Sequence, residues 1–108
     1  MINIKSNFKI NETFKIRNKR EKLLVQSILQ LKTEQETIEF LRDLLTLQEL
    51  KEFTNRIEVV RLLLKNYSYQ RIAKETGVST TTVTRVAHWL FNGCGGYSRV
   101  MKRLKFIS

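Results

Sequence analysis

The side chains best suited to recognising another molecule lie at residues 79–88, in the stretch STTTVTRVAH. A threonine hydroxyl can hydrogen-bond a base edge, and the threonine methyl can contact thymine. The guanidinium of Arg85 matches both guanine and phosphate. Three consecutive threonines are poor helix formers, which favours a contact role over a purely structural one. We therefore predict that bases of a DNA duplex are read by Ser79, Thr80, Thr81 and Arg85.

A second group of polar residues surrounds these and is suited to the DNA backbone. Side chains that bond phosphate oxygens fix the register of a protein on DNA without reading its sequence. The N-terminus of a helix beginning after Ser79 would add backbone N–H donors and a favourable dipole. The predicted phosphate contacts are Gln70, Arg71, Lys74, Thr82, Thr84 and His88. The alternative is that the threonines only cap the helix and cover its solvated surface.

Two short helices that cross closely are needed to present these side chains, and the stretch 69–91 has that pattern. Gly77 stands where the first helix must end, because glycine adopts the left-handed conformation without a Cβ penalty. Ser79 follows as the N-cap of the second helix. The apolar positions expected to hold the pair together are Ile72, Ala73, Val78, Val83, Val86 and Leu90. This arrangement is typical of a DNA-binding helix-turn-helix.

The chain before this unit is also predicted to be helical, since the sequence has no proline and only four glycines. A helix begins near Asn18, and Thr33 with Glu36 forms a capping box that begins a second helix. Thr46 and Glu49 repeat that pattern and begin a short third helix, which ends near residue 53. A fourth helix spans about 55–65, and its inward positions are Ile57, Val60, Leu63 and Leu64.

The chain after the helix-turn-helix contains a glycine-rich break at 92–96 and then a last helix at about 97–106. Trp89 lies just before the break, next to the buried face, where we expect it to pack at a helix junction or a dimer interface. One side of the last helix is predicted to hold Val100, Met101 and Leu104.

Charge is unevenly distributed along the 108 residues, which carry a net charge of +10 at pH 7. The balance is +5 over residues 1–22 and +4 over 97–108, whereas 23–96 is nearly neutral. Basic ends around a neutral body suit contact with phosphate backbones. We interpret residues 1–17 as a basic N-terminal arm, extended or disordered, and 18–108 as a helical DNA-binding domain.

Several classes of protein are not supported by the sequence. Cys94 is the only cysteine, which excludes an intrachain disulfide and gives no cysteine-based metal site. No run of about 20 apolar residues could span a bilayer, so we expect a cytoplasmic protein without membrane partners. The Ser, His and acidic residues form no recognisable catalytic motif, and we expect neither an enzyme nor a metal protein.

The first two predicted helices carry more apolar side chains than a chain this short can easily cover. Leaving large apolar side chains wet costs about 1.5–3 kcal/mol each relative to full burial. A homodimer would cover them, and two-fold symmetry also suits paired DNA half-sites. The side chains concerned are Leu23, Leu24, Ile28, Leu31, Ile38, Leu41, Leu44 and Leu45.

About half of the chain, from residue 42 to 97, resembles the Trp-repressor superfamily, and most closely its YerC/YecD-type branch. Four pieces in order carry the resemblance: RDLLTLQE, RIEVVRLLL, YQRIAKETGVSTTTVTRV and LFNGCGGY. The helix-turn-helix piece is shared with many regulators, while the other three are more specific. The resemblance implies an all-α, six-helix protomer with a helix-turn-helix, in an intertwined homodimer.

The resemblance also implies a site for a small effector. In the founding repressor two arginines grip the carboxylate of the tryptophan corepressor, and Arg56 and Arg85 fall at the matching positions. The residue after the second arginine is glycine in that repressor, which leaves room for the indole, whereas this chain has Val86. Val86 therefore disfavours a tryptophan-like corepressor, and no cofactor is predicted. The alternative to an effector site is that Arg56 and Arg85 are structural or face phosphate.

The sequence leads to one main hypothesis and one alternative. The first is a sequence-specific DNA-binding transcriptional regulator, a repressor, that acts as a homodimer on double-stranded DNA. The alternative is a helical module that packages nucleic acid or binds a protein, without sequence specificity or an effector. The salt dependence and the sequence dependence of DNA binding separate the two.

Overall fold

The structure, a computed structural model, describes residues 13–107. Six α-helices form the regular structure of these residues. They are α1 (Lys19–Leu29), α2 (Glu34–Leu44), α3 (Leu47–Leu64), α4 (Tyr69–Thr76), α5 (Thr80–Asn92) and α6 (Gly96–Arg103). No strand occurs among residues 13–107, so the all-α prediction is confirmed. Of the predicted N-terminal arm, residues 13–17 have no regular structure and 1–12 lie outside the described residues.

The early helices begin at the predicted capping residues. The Thr33 hydroxyl accepts a hydrogen bond from the Glu36 backbone N–H at 3.0 Å. The Thr46 hydroxyl accepts from Glu49 N at 3.1 Å, and the Glu49 carboxylate accepts from Thr46 N at 3.0 Å, which completes a capping box. The Thr46 backbone N–H, and after it the Thr46 side-chain hydroxyl, lower the pKa of the Glu49 carboxyl below its ordinary value. At Thr33 the box is incomplete, since Glu36 accepts from the backbone of Lys32 instead.

The predicted third and fourth helices are a single helix, α3, and this part of the prediction was wrong. Thr54 and Asn55 have low helix propensity, but neither proline nor glycine interrupts residues 47–64. The buried side chains of the second half stabilise the helix enough to outweigh that local preference. Helix α3 ends in a Schellman motif: Asn66 has φ +63°, and the Tyr67 N–H donates to the Leu62 carbonyl at 3.2 Å.

The described residues divide into two compact units, Phe14–Phe53 and the residues from Thr54 onward. The second unit contains one apolar core, built from the end of α3, both helices of the helix-turn-helix and α6. It confirms the inward positions predicted in α3, α4 and α5, with Ile57 as the exception. The core consists of Val59, Val60, Leu62, Leu63, Leu64, Ile72, Val83, Val86, Ala87, Leu90 and Met101.

Ile57, which was predicted to face inward, is exposed, and so are two of the three apolar residues predicted on one side of the last helix. Ile57 is 44% exposed on α3, and Val100 and Leu104 are 49% and 57% exposed. Helix α6 is eight residues long and ends at Arg103. Met101 is its one buried residue. The helix stops there because Lys105 takes φ +65° and Phe106 N donates back to the Met101 carbonyl.

The unit Phe14–Phe53 has little apolar core of its own. Neither α1 nor α2 contains a buried residue, and Leu45, which caps α2, is the one buried residue of this unit. The apolar side chains of these helices lie at the surface of the single chain. The large exposed ones among the predicted set are Leu23, Leu24, Ile28, Ile38 and Leu44.

Candidate nucleic-acid interface

The turn between α4 and α5 is built as the sequence predicts. Ser68 caps α4, and its hydroxyl accepts from Arg71 N at 3.1 Å. Gly77 ends the helix in the left-handed conformation with φ +76°, and its N–H donates to the Ala73 carbonyl at 2.9 Å. The Thr76 hydroxyl donates to the Ile72 carbonyl at 2.7 Å, which closes the last turn of α4.

The two helices are held together by the predicted apolar side chains. Ile72 from α4 and Val83 from α5 are both completely buried. Val86 and Leu90 continue the buried side of α5, while Ala73 and Val78 pack against this core from its edge. Because these side chains bury one side of α5, the opposite side of the helix faces solvent.

Nearly all of the predicted DNA-contacting residues are exposed. Helix α4 contributes three of them, and α5 with its cap contributes the rest. Thr82 alone is half-buried. The exposed residues are Gln70, Arg71, Lys74, Ser79, Thr80, Thr81, Thr84, Arg85 and His88. Exposure makes each of them available to a nucleic acid, and their individual contacts stay predictions.

The side-chain hydroxyls at the start of α5 either form hydrogen bonds within the chain or have no intramolecular partner among the described residues. Ser79 Oγ accepts from Thr82 N at 3.1 Å and lies 3.1 Å from Thr82 Oγ1, so these two hydroxyls form the cap. The Thr84 hydroxyl donates to the Thr80 carbonyl at 2.9 Å, one turn back. Within the described chain, the hydroxyls of Thr80 and Thr81 have no intramolecular partner. Those two hydroxyls can therefore bond a ligand without disturbing the helix.

On α4, Arg71 is held in place from two sides, which the sequence did not indicate. Its guanidinium carbon lies 3.7 Å from the centroid of the Tyr67 ring. Its Nε donates to Glu75 Oε1 at 3.1 Å. Nearby, Arg61 is occupied by a bidentate pair with Glu58, with Nε–Oε1 at 2.6 Å and Nη2–Oε2 at 3.0 Å. This pairing lowers the pKa of Glu58.

The two arginines of the predicted effector site line a single cavity of about 360 Å³. Val86, 5% exposed, forms part of its wall. Trp89 and Tyr97, which the sequence did not connect with this site, complete the aromatic side. The full lining is Arg56, Thr82, Arg85, Val86, Trp89 and Tyr97. Two cations beside aromatic rings suit a small anion with a flat apolar part.

An apolar groove of about 440 Å³ lies beside that cavity and shares Trp89 and Tyr97 with it. The exposed side chains of Ile57 and Val100 form part of its lining, and so does Cys94. Trp89 is 48% exposed and stands edge-on to His88, with ring centroids 5.1 Å apart. Among the described residues, no group of His, Cys, Asp or Glu side chains could hold a metal ion.

The sequence profile of the Trp repressor protein family matches residues 19–105, which include the helix-turn-helix and both arginines of the cavity. The chain belongs to the Trp repressor family. It is 38% identical over 91 residues to YerC of Bacillus subtilis strain 168, described as uncharacterized, covering 84% of this chain and 88% of YerC. The resemblance to the YerC-type branch of the Trp repressor family is thereby confirmed.

Two solved structures of the Trp repressor type share the fold. A TrpR-like protein from Eubacterium eligens superimposes with a TM-score of 0.80 at 36% identity, over 85% of this chain and 95% of that one. A structure from Staphylococcus aureus gives the same TM-score of 0.80 at 29% identity, over 85% and 92%. Together they confirm the six-helix Trp-repressor-like fold of the chain.

Membership of the Trp repressor family indicates a DNA-binding regulator, and nothing in the family or the site points to catalysis. No helix between residues 13 and 107 is both long and apolar enough to cross a membrane.

Proposed function

We propose that this protein is a sequence-specific transcriptional repressor that binds double-stranded DNA as a homodimer, with α5 in the major groove. The observation that carries the proposal is the start of α5. There Thr80 and Thr81 are exposed beside a complete Ser79 cap, in a helix-turn-helix of a Trp repressor family protein. In helix-turn-helix proteins, the N-terminal residues of the second helix contact base edges.

In the proposed complex, base edges are contacted by Thr80, Thr81 and Arg85, while Ser79 mainly caps the helix. Gln70, Arg71 and Lys74 on α4 contact phosphates, as the exposed face of the first helix does in this motif. Thr82, Thr84 and His88 add phosphate contacts from α5. The basic ends of the chain strengthen the electrostatic attraction without adding sequence preference.

The homodimer is supported by the unburied apolar side chains of α1 and α2. Leu23 is 66% exposed, and Ile28 and Leu44 are 48% and 50% exposed. A soluble chain that leaves so many large apolar residues wet forgoes much of the stabilisation available from burial. A second copy is the partner whose two-fold symmetry also matches paired half-sites, which lie about 34 Å apart in helix-turn-helix complexes.

A second candidate function is favoured by the net charge of +10. A small basic helical protein can coat or package nucleic acid through phosphate contacts alone. In that case binding is independent of sequence and falls steeply with salt. The exposed threonines would then be solvated surface.

We also propose that the cavity between Arg56 and Arg85 is the place where a small effector would act. A carboxylate would pair with the guanidinium groups, and an apolar part would lie against Trp89 and Tyr97. Because the Val86 side chain forms part of the wall, a smaller or differently shaped acid than tryptophan suits the cavity better.

The test is selection of bound duplexes from a random pool, carried out with and without tryptophan and other amino acids. A two-fold symmetric consensus would support the dimeric regulator. Enrichment of no sequence, together with a steep salt dependence, would favour the packaging alternative. Failure to retain any duplex would reject both. Sedimentation of the protein and of its complex with the selected duplex gives the number of copies bound.

A further inference from the structure

We propose that Tyr67 is a positioning residue that holds the Arg71 side chain ready to receive a DNA phosphate. The inference rests on the proposed function, because it assigns a role within the same DNA-binding surface. It concerns the junction between α3 and α4, where Tyr67 lies between the end of one helix and the cap of the next.

The Tyr67 ring is held in a defined position by the backbone on both sides of it. The preceding residue, Asn66, has φ +63°, and the Tyr67 N–H donates to the Leu62 carbonyl at 3.2 Å, which fixes the backbone at the end of α3. The following residue, Ser68, caps α4. The ring itself is half-buried and packs against the core of this unit. One ring face is therefore held at a defined place beside the first turn of α4.

Arg71 lies on that face. Its guanidinium carbon is 3.7 Å from the ring centroid, well inside the range of about 6 Å for a cation–π contact. Its Nε donates to Glu75 Oε1 at 3.1 Å. Stacking sets the plane of the group, and the bond to Glu75 sets its rotation within that plane. The two Nη nitrogens have no acceptor within the described part of the chain.

The guanidinium of the neighbouring Arg61, by contrast, is already bound by a carboxylate. Two of its nitrogens bond the two oxygens of Glu58, at 2.6 and 3.0 Å. Arg71 engages its carboxylate through Nε only, so the Nη edge remains open to solvent. A guanidinium with a fixed plane and an open edge matches the bidentate geometry of phosphate recognition.

Fixing the side chain before binding matters because ordering a long side chain at an interface costs free energy. Arginine that is already stacked loses less freedom when the phosphate arrives. Removing the ring should therefore weaken DNA binding about three- to ten-fold, the range that corresponds to the ordering of one such side chain. The loss should be the same for every duplex sequence, since phosphates carry no sequence information.

The experiment is a double-mutant cycle on the intact protein, with affinity measured for the selected duplex and for a scrambled one. Tyr67→Leu is expected to weaken both about three- to ten-fold, whereas Tyr67→Phe, which keeps the ring face, restores binding to within two-fold of the wild type. In an Arg71→Ala background, Tyr67→Leu is expected to have no further effect. Equal weakening by Tyr67→Leu in both backgrounds, or no weakening in the wild type, would overturn the proposal.

A second variant avoids any change at the half-buried tyrosine. Arg71→Lys keeps the charge but lacks the planar group, so affinity should fall a few-fold. The slope of log affinity against log salt should stay unchanged, while Arg71→Ala should reduce that slope by about 0.9. Wild-type affinity retained by Arg71→Lys would contradict the positioning role.

A third readout does not depend on DNA. The Arg71 Nε–Hε resonance should report a rigid side chain in the wild type and a mobile one in Tyr67→Leu. A mobile side chain in the wild type would overturn the proposal even if DNA binds. Absence of DNA binding by the wild type would reject the proposed function and the phosphate role together, whereas binding without coupling would reject only the role of Tyr67.

Discussion

A Cβ atom added at Gly93 would lie 2.5 Å from the carbonyl oxygen of Trp89, closer than real Cβ contacts occur. Gly93 ends α5 and donates its own N–H to that carbonyl at 3.1 Å. Trp89 also lines the arginine cavity, so the tight contact at the end of α5 lies next to the wall of that cavity.

We expect Gly93→Ala to destabilise the protein by about 1–3 kcal/mol, the usual cost of overpacking, because a backbone atom must move. Gly96→Ala is the matched control, since nothing lies within 4 Å of a Cβ at that position. It should be neutral or stabilising by up to about 1 kcal/mol. Urea unfolding of both variants provides the measurement, and equal losses for the two would show that the Trp89 contact is unimportant.

The Ser79 cap should contribute measurably to the stability of the helix-turn-helix. Ser79→Ala removes the acceptor of the Thr82 N–H and should cost about 1 kcal/mol. Thr81→Ala changes an exposed residue without an intramolecular hydrogen bond, and alanine is the better helix former, so stability should not fall. The order of the two melting temperatures decides the matter: Ser79→Ala must melt lower than Thr81→Ala.

Base reading and phosphate contact should separate cleanly between two alanine variants. Thr80→Ala is expected to change the preferred sequence, with about 1–3 kcal/mol less discrimination at one base-pair position of each half-site. Arg71→Ala is expected to weaken all duplexes about equally and to lower the salt slope by about 1. Both are measured by repeating the selection and titrating salt. The contact assignment has failed if circular dichroism shows that both variants merely unfold.

Tryptophan should leave the wild-type protein unaffected, because the valine at position 86 forms part of the cavity wall. Val86→Gly opens that wall at the cost of about 2–4 kcal/mol from the lost buried side chain and the glycine within α5. Thermal unfolding with tryptophan, and with alanine as the control amino acid, measures the effect. Tryptophan should raise the melting temperature of Val86→Gly only. An equal rise in the wild type would show that the valine does not exclude it.

The ion pair between Glu58 and Arg61 predicts a specific pH dependence. The guanidinium lowers the pKa of Glu58 below its ordinary 4.5. A carboxyl with a lowered pKa stabilises the fold above its unfolded value, and that stabilisation is lost as the pH falls through the folded value. Because Glu58 and Arg61 are both partly exposed, Glu58→Gln should cost less than about 1 kcal/mol at pH 7. The difference from the wild type should shrink below pH 4.5, and an unchanged difference at pH 3 would exclude the pair as its source.

Features that depend on residues close in the chain could be predicted from the sequence. The caps at Thr33, Thr46 and Ser79 and the left-handed Gly77 all act within four residues, so local patterns suffice to find them. The buried side of α5 followed from its apolar spacing. The shared cavity of Arg56 and Arg85 was suggested only by the family resemblance, since those residues lie on different helices.

Features that depend on tertiary packing or on contacts across a helix boundary could not be predicted. Helix α3 continues through Thr54 because the core stabilises its second half, which local propensity does not report. The outward position of Val100 depends on how few contacts α6 makes with the core, where only Met101 is buried. Tyr67 and Arg71 are four residues apart, but Tyr67 precedes the Ser68 cap and lies outside α4, so the spacing rule for neighbours within a helix did not predict their stack.

The division of hydroxyls at the start of α5 has an evolutionary consequence. Ser79 and Thr82 are committed to the cap, whereas Thr80 and Thr81 contribute to neither the cap nor the core. Substitutions at positions 80 and 81 can therefore accumulate with little penalty to folding. If these two residues read the operator, a lineage can acquire a new DNA target through them while the protomer stays intact.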